Sequence, residues 1–197
     1  MNADTDYARI VQMLTKQQLA AYVAYDSHDD LNGMGKSQSS EHIVVRVSDG
    51  KIVSGKPDIT IQSGSDRQEF NPITRPAFDP ACYRATSETP ATYDGRDAVQ
   101  FTLTATCKEH GKDSHDYLFT TLFADARTMR PLYAVGNVPE SDDSKGVAVS
   151  VEEQFGEFSG RVMPTLIKVD VAGSGFMFWL QVHVSETYAN YTFSSSP

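Results

Sequence analysis

One polar segment of the chain, residues 108–116, concentrates side chains of the types that bind metal ions. Its potential ligands are two imidazoles and two carboxylates, His110, His115, Asp113 and Asp116. Zinc accepts both types of group, but their spacing here fits no fixed pattern on a helix. The sequence at His28, which is followed by two aspartates, is a weaker case of the same kind. We therefore predict no metal ion and no cofactor, and a metal-dependent enzyme using segment 108–116 is only a third hypothesis.

No other arrangement of residues predicts catalysis. Ser159 lies in the sequence Gly-Glu-Phe-Ser-Gly, whose spacing differs from that of the strained turn that presents a nucleophilic serine. Glu152 and Glu153 are adjacent on a predicted strand, so their carboxyl groups point to opposite faces and cannot act on one substrate. We predict no catalytic residue and infer that the protein is not an enzyme.

Composition restricts the kinds of partner. The 197 residues include 17 lysines and arginines against 26 aspartates and glutamates, which gives a net charge of −9. This balance argues against binding to nucleic acid or to an anionic membrane surface. The chain has no apolar run of the roughly 18 residues that a transmembrane helix needs, and it begins without a secretory signal, as a mature exported chain also would. A chain of this length can bury about 70% of its unfolded surface, and we expect a monomer.

One amphipathic helix precedes a long series of strands. Apolar residues recur at helical spacing in residues 5–18, and Asp4 or Thr5 is the expected N-cap. The polar residues 26–40 predict a loop or a hairpin tip. Beyond them, apolar and polar residues alternate in short runs separated by turn residues, which is typical of strands. The segment 63–80, with its three prolines, predicts a long irregular connection.

These elements predict a single α+β domain over residues 1–197. It comprises a helix in 1–20, a meander of about ten strands in 21–193 that includes the irregular segment, and a tail at 194–197. The strands should be antiparallel, because no helix-length gap separates them after residue 80. One small helix cannot cover so large a sheet. Either the sheet closes on itself as a barrel, or it wraps the helix and leaves apolar surface for a ligand.

The two cysteines are predicted to face each other across a hairpin. Asp94-Gly95 is a strong signal for a two-residue turn between strands. Extending that register places Cys82 opposite Cys107, where Cα atoms approach to about 4.5 Å. Pro90 cannot donate to the ladder and is expected to shift the register. Two alternatives stay open for the cysteines. They form a disulfide, which would indicate an exported protein, or they are two separate buried thiols.

One face of the predicted sheet is strongly apolar in its central strands. The residues that we predict to line a ligand cavity on this face are Phe101, Leu103, Ile167, Val169, Phe176, Phe178 and Leu180. The same alternation is the ordinary signature of any half-buried strand. A filled core is therefore an alternative of nearly equal weight.

The second half of the chain resembles the LolA-like proteins, the periplasmic lipoprotein carriers and the lipoprotein-sensing regulators that share their fold. The resemblance covers residues 117–193, and the leading helix before a meander agrees with it. Its features are a strand with an Asp-x-x-Thr turn at Asp125, a strand that starts with Pro131-Leu132, the run 155–164, two long strands around Gly173-Ser174-Gly175, and an aromatic strand at 188–193.

The resemblance implies a strongly curved antiparallel half-barrel whose concave face, covered by the helix, accepts acyl chains. The protein would then be a non-enzymatic periplasmic or otherwise exported binding protein for a lipid or for the acyl chains of a lipoprotein. Such a function needs shape and an apolar lining but no catalytic group. The alternative is an envelope interaction or sensor module of the same fold, with a filled core and a protein partner.

Overall fold

The computed structural model describes residues 2–33, 36–56, 60–63, 66–69, 72–73, 77–107, 119–138, 147–175 and 178–197. Its helices are α1 (Ala3–Lys16) and a short 3-10 helix (Pro80–Cys82). Its strands are β1 (Tyr22–Asn32), β2 (Lys36–Arg46), β3 (Lys51–Ser54), β4 (Thr60–Ser63), β5 (Asp66–Glu69), β6 (Tyr83–Tyr93), β7 (Arg96–Ala105), β8 (Phe119–Asp125), β9 (Pro131–Val138), β10 (Val147–Phe158), β11 (Arg161–Gly175) and β12 (Phe178–Ser194).

Ten of these strands form one antiparallel sheet in the order β3-β2-β1-β12-β11-β10-β9-β8-β7-β6, and β4 pairs with β5 in a separate hairpin. Strands β3 and β6 are the two edges, so the sheet stays open. The meander β1 to β3 joins the meander β6 to β12 through the pairing of β1 with β12. The predicted α+β fold, with an antiparallel sheet of about ten strands curved around an N-terminal helix, is confirmed.

Helix α1 lies against the inner, concave face of the sheet. Its Tyr7 and Ile10 are buried. The ring of Tyr7 lies 6.1 Å from the ring of Phe101 on β7, and its hydroxyl donates to the Pro80 carbonyl at 2.9 Å. The helix and the facing strands therefore share one hydrophobic core.

Both ends of α1 differ from the prediction of 5–18. Asn2, rather than Asp4 or Thr5, is the N-cap, and its side chain accepts a hydrogen bond from the Asp4 amide at 3.2 Å. The helix ends at Lys16 because the next residue, Gln17, turns its side chain to the backbone of β11.

Strands β6 and β7 form the predicted hairpin. Asp94 and Gly95 make its turn, and both have positive φ angles, as a two-residue turn of this type requires. Of the two alternatives for the cysteines, the disulfide between Cys82 and Cys107 is present, with Cα atoms 4.8 Å apart. The cysteines lie just beyond the ladder, which ends with Tyr83 paired to Ala105 and so departs by one residue from the register that was expected to place them opposite each other.

The register shift in this hairpin lies elsewhere than predicted. It falls between Ala85 and Ser87, whereas Pro90 pairs with Val99 in the unshifted part of the ladder. Pro90 is tolerated because β6 is an edge strand, where a residue can lack its N–H without losing a partner.

Three segments contain more strand than predicted. Of the segment 26–40, expected to be a loop or a hairpin tip, residues 26–32 belong to β1 and residues 36–40 to β2; the two strands pair from Tyr22 with Arg46 to Asn32 with Lys36, and residues 34–35 lie outside the described residues. Residues 173–175, expected to be a turn, are the end of β11, and the two strands expected within 176–193 are one strand, β12. The segment 63–80 includes β5, although residues 64–65, 70–71 and 74–76 lie outside the described residues.

Candidate functional site

The structure describes the side chains of four of the seven predicted ligand-lining residues, and these four lie on the inner face of the sheet. Four of them are between 0% and 6% exposed: Phe101, Leu103, Ile167 and Val169. Phe176 lies outside the described residues. For Phe178 and Leu180 the structure gives strand positions, opposite Gly175 and Gly173 on β11. The structure thus brings the first four together in the core.

Phe78 fills the concave face beside α1. This residue belongs to the segment that connects the two sheet edges, and it is 1% exposed. Its ring lies 5.3 Å from Tyr83, 5.2 Å from Phe119 and 6.3 Å from Phe155. The part of the concave face near β6 to β9 is therefore packed with the protein's own side chains.

A strip of aliphatic side chains continues the concave face across β10, β11, β12 and β1. Leu31 is 38% exposed, and Val149, Val171, Val182 and Val184 are half-buried. The register places Leu31 beside Val184, and Val171 between Val182 and Val149. We call these five residues the valine strip.

Glu153 on β10 is fully buried on the same face. Its Oε2 accepts a hydrogen bond from the Phe78 amide at 2.6 Å, while its Oε1 has no hydrogen-bond partner. Burial raises the pKa of Glu153 to about 8, although the Phe78 amide acts in the opposite direction. The Glu153 carboxyl group is therefore mostly protonated and neutral at pH 7.

Two further buried acids lie in line with Glu153 across the sheet. Asp29 on β1 pairs with Glu186 on β12. Glu186 pairs with Ile167 on β11, which pairs with Glu153 on β10. Asp29 and Glu186 are 6% and 4% exposed. We call Asp29, Glu186 and Glu153 the acidic row.

Hydroxyl groups adjoin the acidic row. Ser27 lies two residues before Asp29 on the same face of β1, is 3% exposed, and its Oγ has no hydrogen-bond partner. Ser39 on β2 donates to Asp29 Oδ2 at 3.1 Å. Burial raises the pKa of Tyr25, and the negative charges of Glu186 and Asp29 raise it further. Ser39 and Tyr25 therefore interact with the acidic row, and Ser27 lies beside it.

Sequence reasoning missed the acidic row and predicted only that Glu152 and Glu153 lie on opposite faces of the strand. Glu152 and Glu153 do point to opposite faces: Glu152 lies on the convex face, 3.7 Å from Lys168, and Glu153 is buried. The burial of Glu153 could have been predicted, because alternation along the strand puts this residue on the same face as the apolar Val149 and Val151.

A groove on the convex face crosses β1, β2 and β12 and has a volume of about 380 Å3. In it, His42 Nδ1 lies 2.6 Å from Asp26 Oδ1, and His28 Nδ1 lies 2.8 Å from Ser40 Oγ. The carboxylate and the hydroxyl contact different histidines, so the four side chains form no Ser-His-Asp chain. His28 and Asp29 point to opposite faces of β1 and cannot share a metal ion.

Among the described residues, no group of three or more histidine, cysteine, aspartate or glutamate side chains is placed to hold a metal ion. The segment 108–116, considered above for its histidines, lies outside the described residues. Within the described parts of the chain, no helix is long and apolar enough to cross a membrane.

No protein-family model and no curated protein matches this sequence. The structure is similar to that of a LolA superfamily protein, NE2245 from Nitrosomonas europaea, at 11% identity and a TM-score of 0.45, over 100% of this chain and 96% of that chain. It is also similar to a DUF1329 family protein from Desulfovibrio piger ATCC 29098, at 10% identity and a TM-score of 0.46, over 99% of this chain and 93% of that chain.

Proposed function

We propose that the protein is a non-enzymatic binding protein that holds the acyl chain of a lipid or of a lipoprotein against the concave face of its sheet. The observation that supports this most directly is the valine strip, which extends over β10, β11, β12 and β1. Helix α1 has only 14 residues and packs against β6 and the 3-10 helix, at the other side of the sheet. Among the described residues, the strip is therefore an apolar part of the concave face that α1 leaves partly exposed and on which we expect a ligand to lie.

Apolar burial alone gives such a surface useful affinity. Removing apolar area from water contributes about 25 cal/mol per Å2, so a chain that covers about 300 Å2 gains about 7 kcal/mol before the loss of its freedom of motion. The predicted lining residues Ile167 and Val169 are buried on the same face and lie beside the strip, with Val169 paired to Val184.

The disulfide between Cys82 and Cys107 supports a periplasmic or otherwise exported location. Disulfides persist in oxidising compartments and are rare in the cytosol, where thiols are kept reduced.

The test is a titration of the delipidated protein with a fluorescent acyl-chain probe, followed by competition with unlabelled lipid. We expect saturable binding of a single probe per chain. Val171→Asp should weaken probe affinity by about tenfold or more, because it places a charge on the apolar strip. Ala172→Asp is the matched control, since this neighbouring residue on β11 is exposed on the convex face. Equal losses in the two variants, or no binding by cooperatively folded protein, would contradict the proposal.

A second candidate function is an envelope interaction or sensor module with a filled core and a protein partner. The complete burial of Phe101 and Phe78 favours it, because these rings already occupy part of the concave face. Under this alternative the protein unfolds cooperatively and binds no acyl-chain probe. The same titration therefore separates the two functions.

A further inference from the structure

Three aromatic rings lie together on the convex face of the sheet, on the side away from the proposed acyl-binding surface. They belong to Tyr93 on β6, Phe123 on β8 and Tyr133 on β9, and all three side chains are half-buried. The rings of Tyr93 and Tyr133 stack with their centroids 5.2 Å apart, and the ring of Phe123 lies 5.7 Å and 6.1 Å from them. Single exposed apolar residues are common on protein surfaces, whereas a contiguous patch of them marks a binding surface more often. We call these three residues the aromatic cluster.

A pocket of about 190 Å3 adjoins the aromatic cluster. The residues that line it are Tyr93, Asp94, Arg96, Leu132, Gln154 and Phe155. Asp94 and Arg96 are exposed and Gln154 is half-buried, so polar side chains stand beside an aromatic ring and an apolar floor. The volume is below the roughly 300–1,000 Å3 of pockets that bury drug-sized ligands, which limits a ligand to about one ring.

The fold holds the groups around this pocket in place. Tyr93 and Arg96 are the register pair that closes the hairpin of β6 and β7, and Tyr133 pairs with Gln154 between β9 and β10. Burial raises the pKa of Tyr133, and the charge of Glu152 and a hydrogen bond with it raise that pKa further, so the hydroxyl of this ring is tied to a neighbouring strand. A site that is already formed loses little conformational freedom when a ligand binds.

The charges at the pocket favour a neutral ligand. Asp94 and Arg96 carry opposite charges, so a charged ligand is attracted by one of them and repelled by the other. A ligand rich in hydroxyl groups gains from both, because a hydroxyl donates to a carboxylate and accepts from a guanidinium, and the amide of Gln154 does either. The face of an aromatic ring carries partial negative charge and attracts the polarised C–H bonds of a sugar ring. We propose that the convex face binds one pyranose sugar ring, stacked against Tyr93 and hydrogen-bonded by Asp94, Arg96 and Gln154.

The experiment follows the NMR signals of the tyrosine rings while the full chain is titrated at pH 7 with the methyl glycosides of glucose, galactose and mannose. Glucuronate and glucosamine are titrated in parallel, because they place a negative or a positive charge on the same ring. We expect at least one neutral glycoside to shift the signals of Tyr93 and Tyr133 saturably, and the charged sugars to bind no more tightly. Tyr93→Leu should weaken that binding about fivefold, since it removes the ring face. Tyr22→Leu is the matched control, because Tyr22 is a half-buried tyrosine on the convex face of β1 that also pairs with an arginine, Arg46.

Three results would overturn this inference. They are a charged sugar that binds more tightly than every neutral glycoside, the absence of any shift at Tyr93 and Tyr133, and equal affinities in Tyr93→Leu and Tyr22→Leu. Where Tyr93→Leu does not fold, Arg96→Ala decides, since Arg96 is exposed: an unchanged affinity in that variant also overturns the inference. The aromatic cluster and the valine strip lie on opposite faces of the sheet, so the acyl-chain titration tests the proposed function independently of these results.

Discussion

Glu153 is a buried titratable group on the concave face whose protonation links folding to pH. Its carboxyl group is fully buried, and burial raises its pKa from 4.5 in the unfolded chain to about 8. Between these two values the folded protein holds a proton that the unfolded chain has released. Raising the pH therefore favours unfolding throughout that interval.

Glu153→Gln should remove this pH dependence. Glutamine keeps the shape of the side chain and an oxygen for the Phe78 amide, but it does not titrate. Between pH 4.5 and about pH 8, the free energy of unfolding of the variant should rise relative to wild type by about 1.4 kcal/mol per pH unit. Urea denaturation of both proteins at a series of pH values measures this difference, and other titrating groups cancel in it. A difference that does not change with pH would assign the titration to another group.

At the scale of single residues, the sequence predicts which face of the sheet a side chain points to better than it predicts the groups that surround that side chain. The alternation of β10 correctly separates Glu152 from Glu153. It does not reveal the partner of Glu153, since the Phe78 amide is 75 residues away in the chain. Ser27 and Asp29 were missed for a different reason: polar residues on both faces of β1 remove the hydrophobic alternation by which a strand is recognised.

At the scale of elements, the segment that connects β3 to β6 contributes a ring to the core. Phe78→Ala should lower the free energy of unfolding by about 3–5 kcal/mol, because it leaves a cavity among Tyr83, Phe119 and Phe155. Chemical denaturation measures the loss.

The control for this substitution is Phe123→Ala. Phe123 is half-buried on the convex face, where its ring lies 5.7 Å from Tyr93 and 6.1 Å from Tyr133. Phe123→Ala should lower the free energy of unfolding clearly less than Phe78→Ala does. The side chain of Phe123 is open to water, so its removal leaves no enclosed cavity. An equal loss of free energy of unfolding in the two variants would contradict the assignment of Phe78 to the core.

The disulfide should stabilise the β6 to β7 hairpin by restricting the unfolded chain. A crosslink between residues 25 apart in sequence is expected to contribute about 3 kcal/mol. The double variant Cys82→Ser with Cys107→Ser should therefore unfold at a lower denaturant concentration than wild type. Reductant should lower the wild-type midpoint and leave that of the double variant unchanged. A midpoint that is insensitive to both treatments would show that the crosslink does not constrain folding.

Local turn chemistry explains why the hairpins could be predicted. Asp94-Gly95 adopts the positive φ angles that its sequence favours, and the Asp-x-x-Thr turn forms as expected, with Asp125 Oδ1 accepting from the Thr128 amide and hydroxyl, both at 2.7 Å. The register shift between Ala85 and Ser87 has no such local signal. It depends on how β6 packs against α1 and β7, and the sequence alone does not contain that geometry.

At the scale of the whole molecule, the decisive contact is the pairing of the first strand with the last. Turns between neighbouring strands predict one continuous meander of about ten strands, and this prediction is wrong at one point: β3 and β6 do not pair, and Tyr22 pairs with Ser194 instead. That pairing makes one sheet of ten strands, places β3 and β6 at the edges, and brings Asp29 next to Glu186. The acidic row exists only because the two meanders meet.

The pairing of β1 with β12 should make the two meanders unfold as one unit. Tyr25 is 1% exposed on β1, and its ring lies 5.7 Å from Tyr188 and 5.5 Å from Tyr191 on β12. Tyr25→Ala should lower the free energy of unfolding by about 3–5 kcal/mol and keep a single transition. Circular dichroism follows the whole sheet, and the fluorescence of the single tryptophan, Trp179, follows β12.

The control is Thr192→Ala. Thr192 is exposed and pairs with Ala24 at the same junction. This substitution should change the free energy of unfolding by less than about 0.5 kcal/mol. Coincident transitions by both probes in Tyr25→Ala, shifted together from wild type, would establish one cooperative unit. If circular dichroism instead shows an early step that the fluorescence of Trp179 does not follow, the β1 to β3 meander unfolds on its own. The acidic row would then come apart before the rest of the sheet, because Asp29 on β1 would separate from Glu186 on β12.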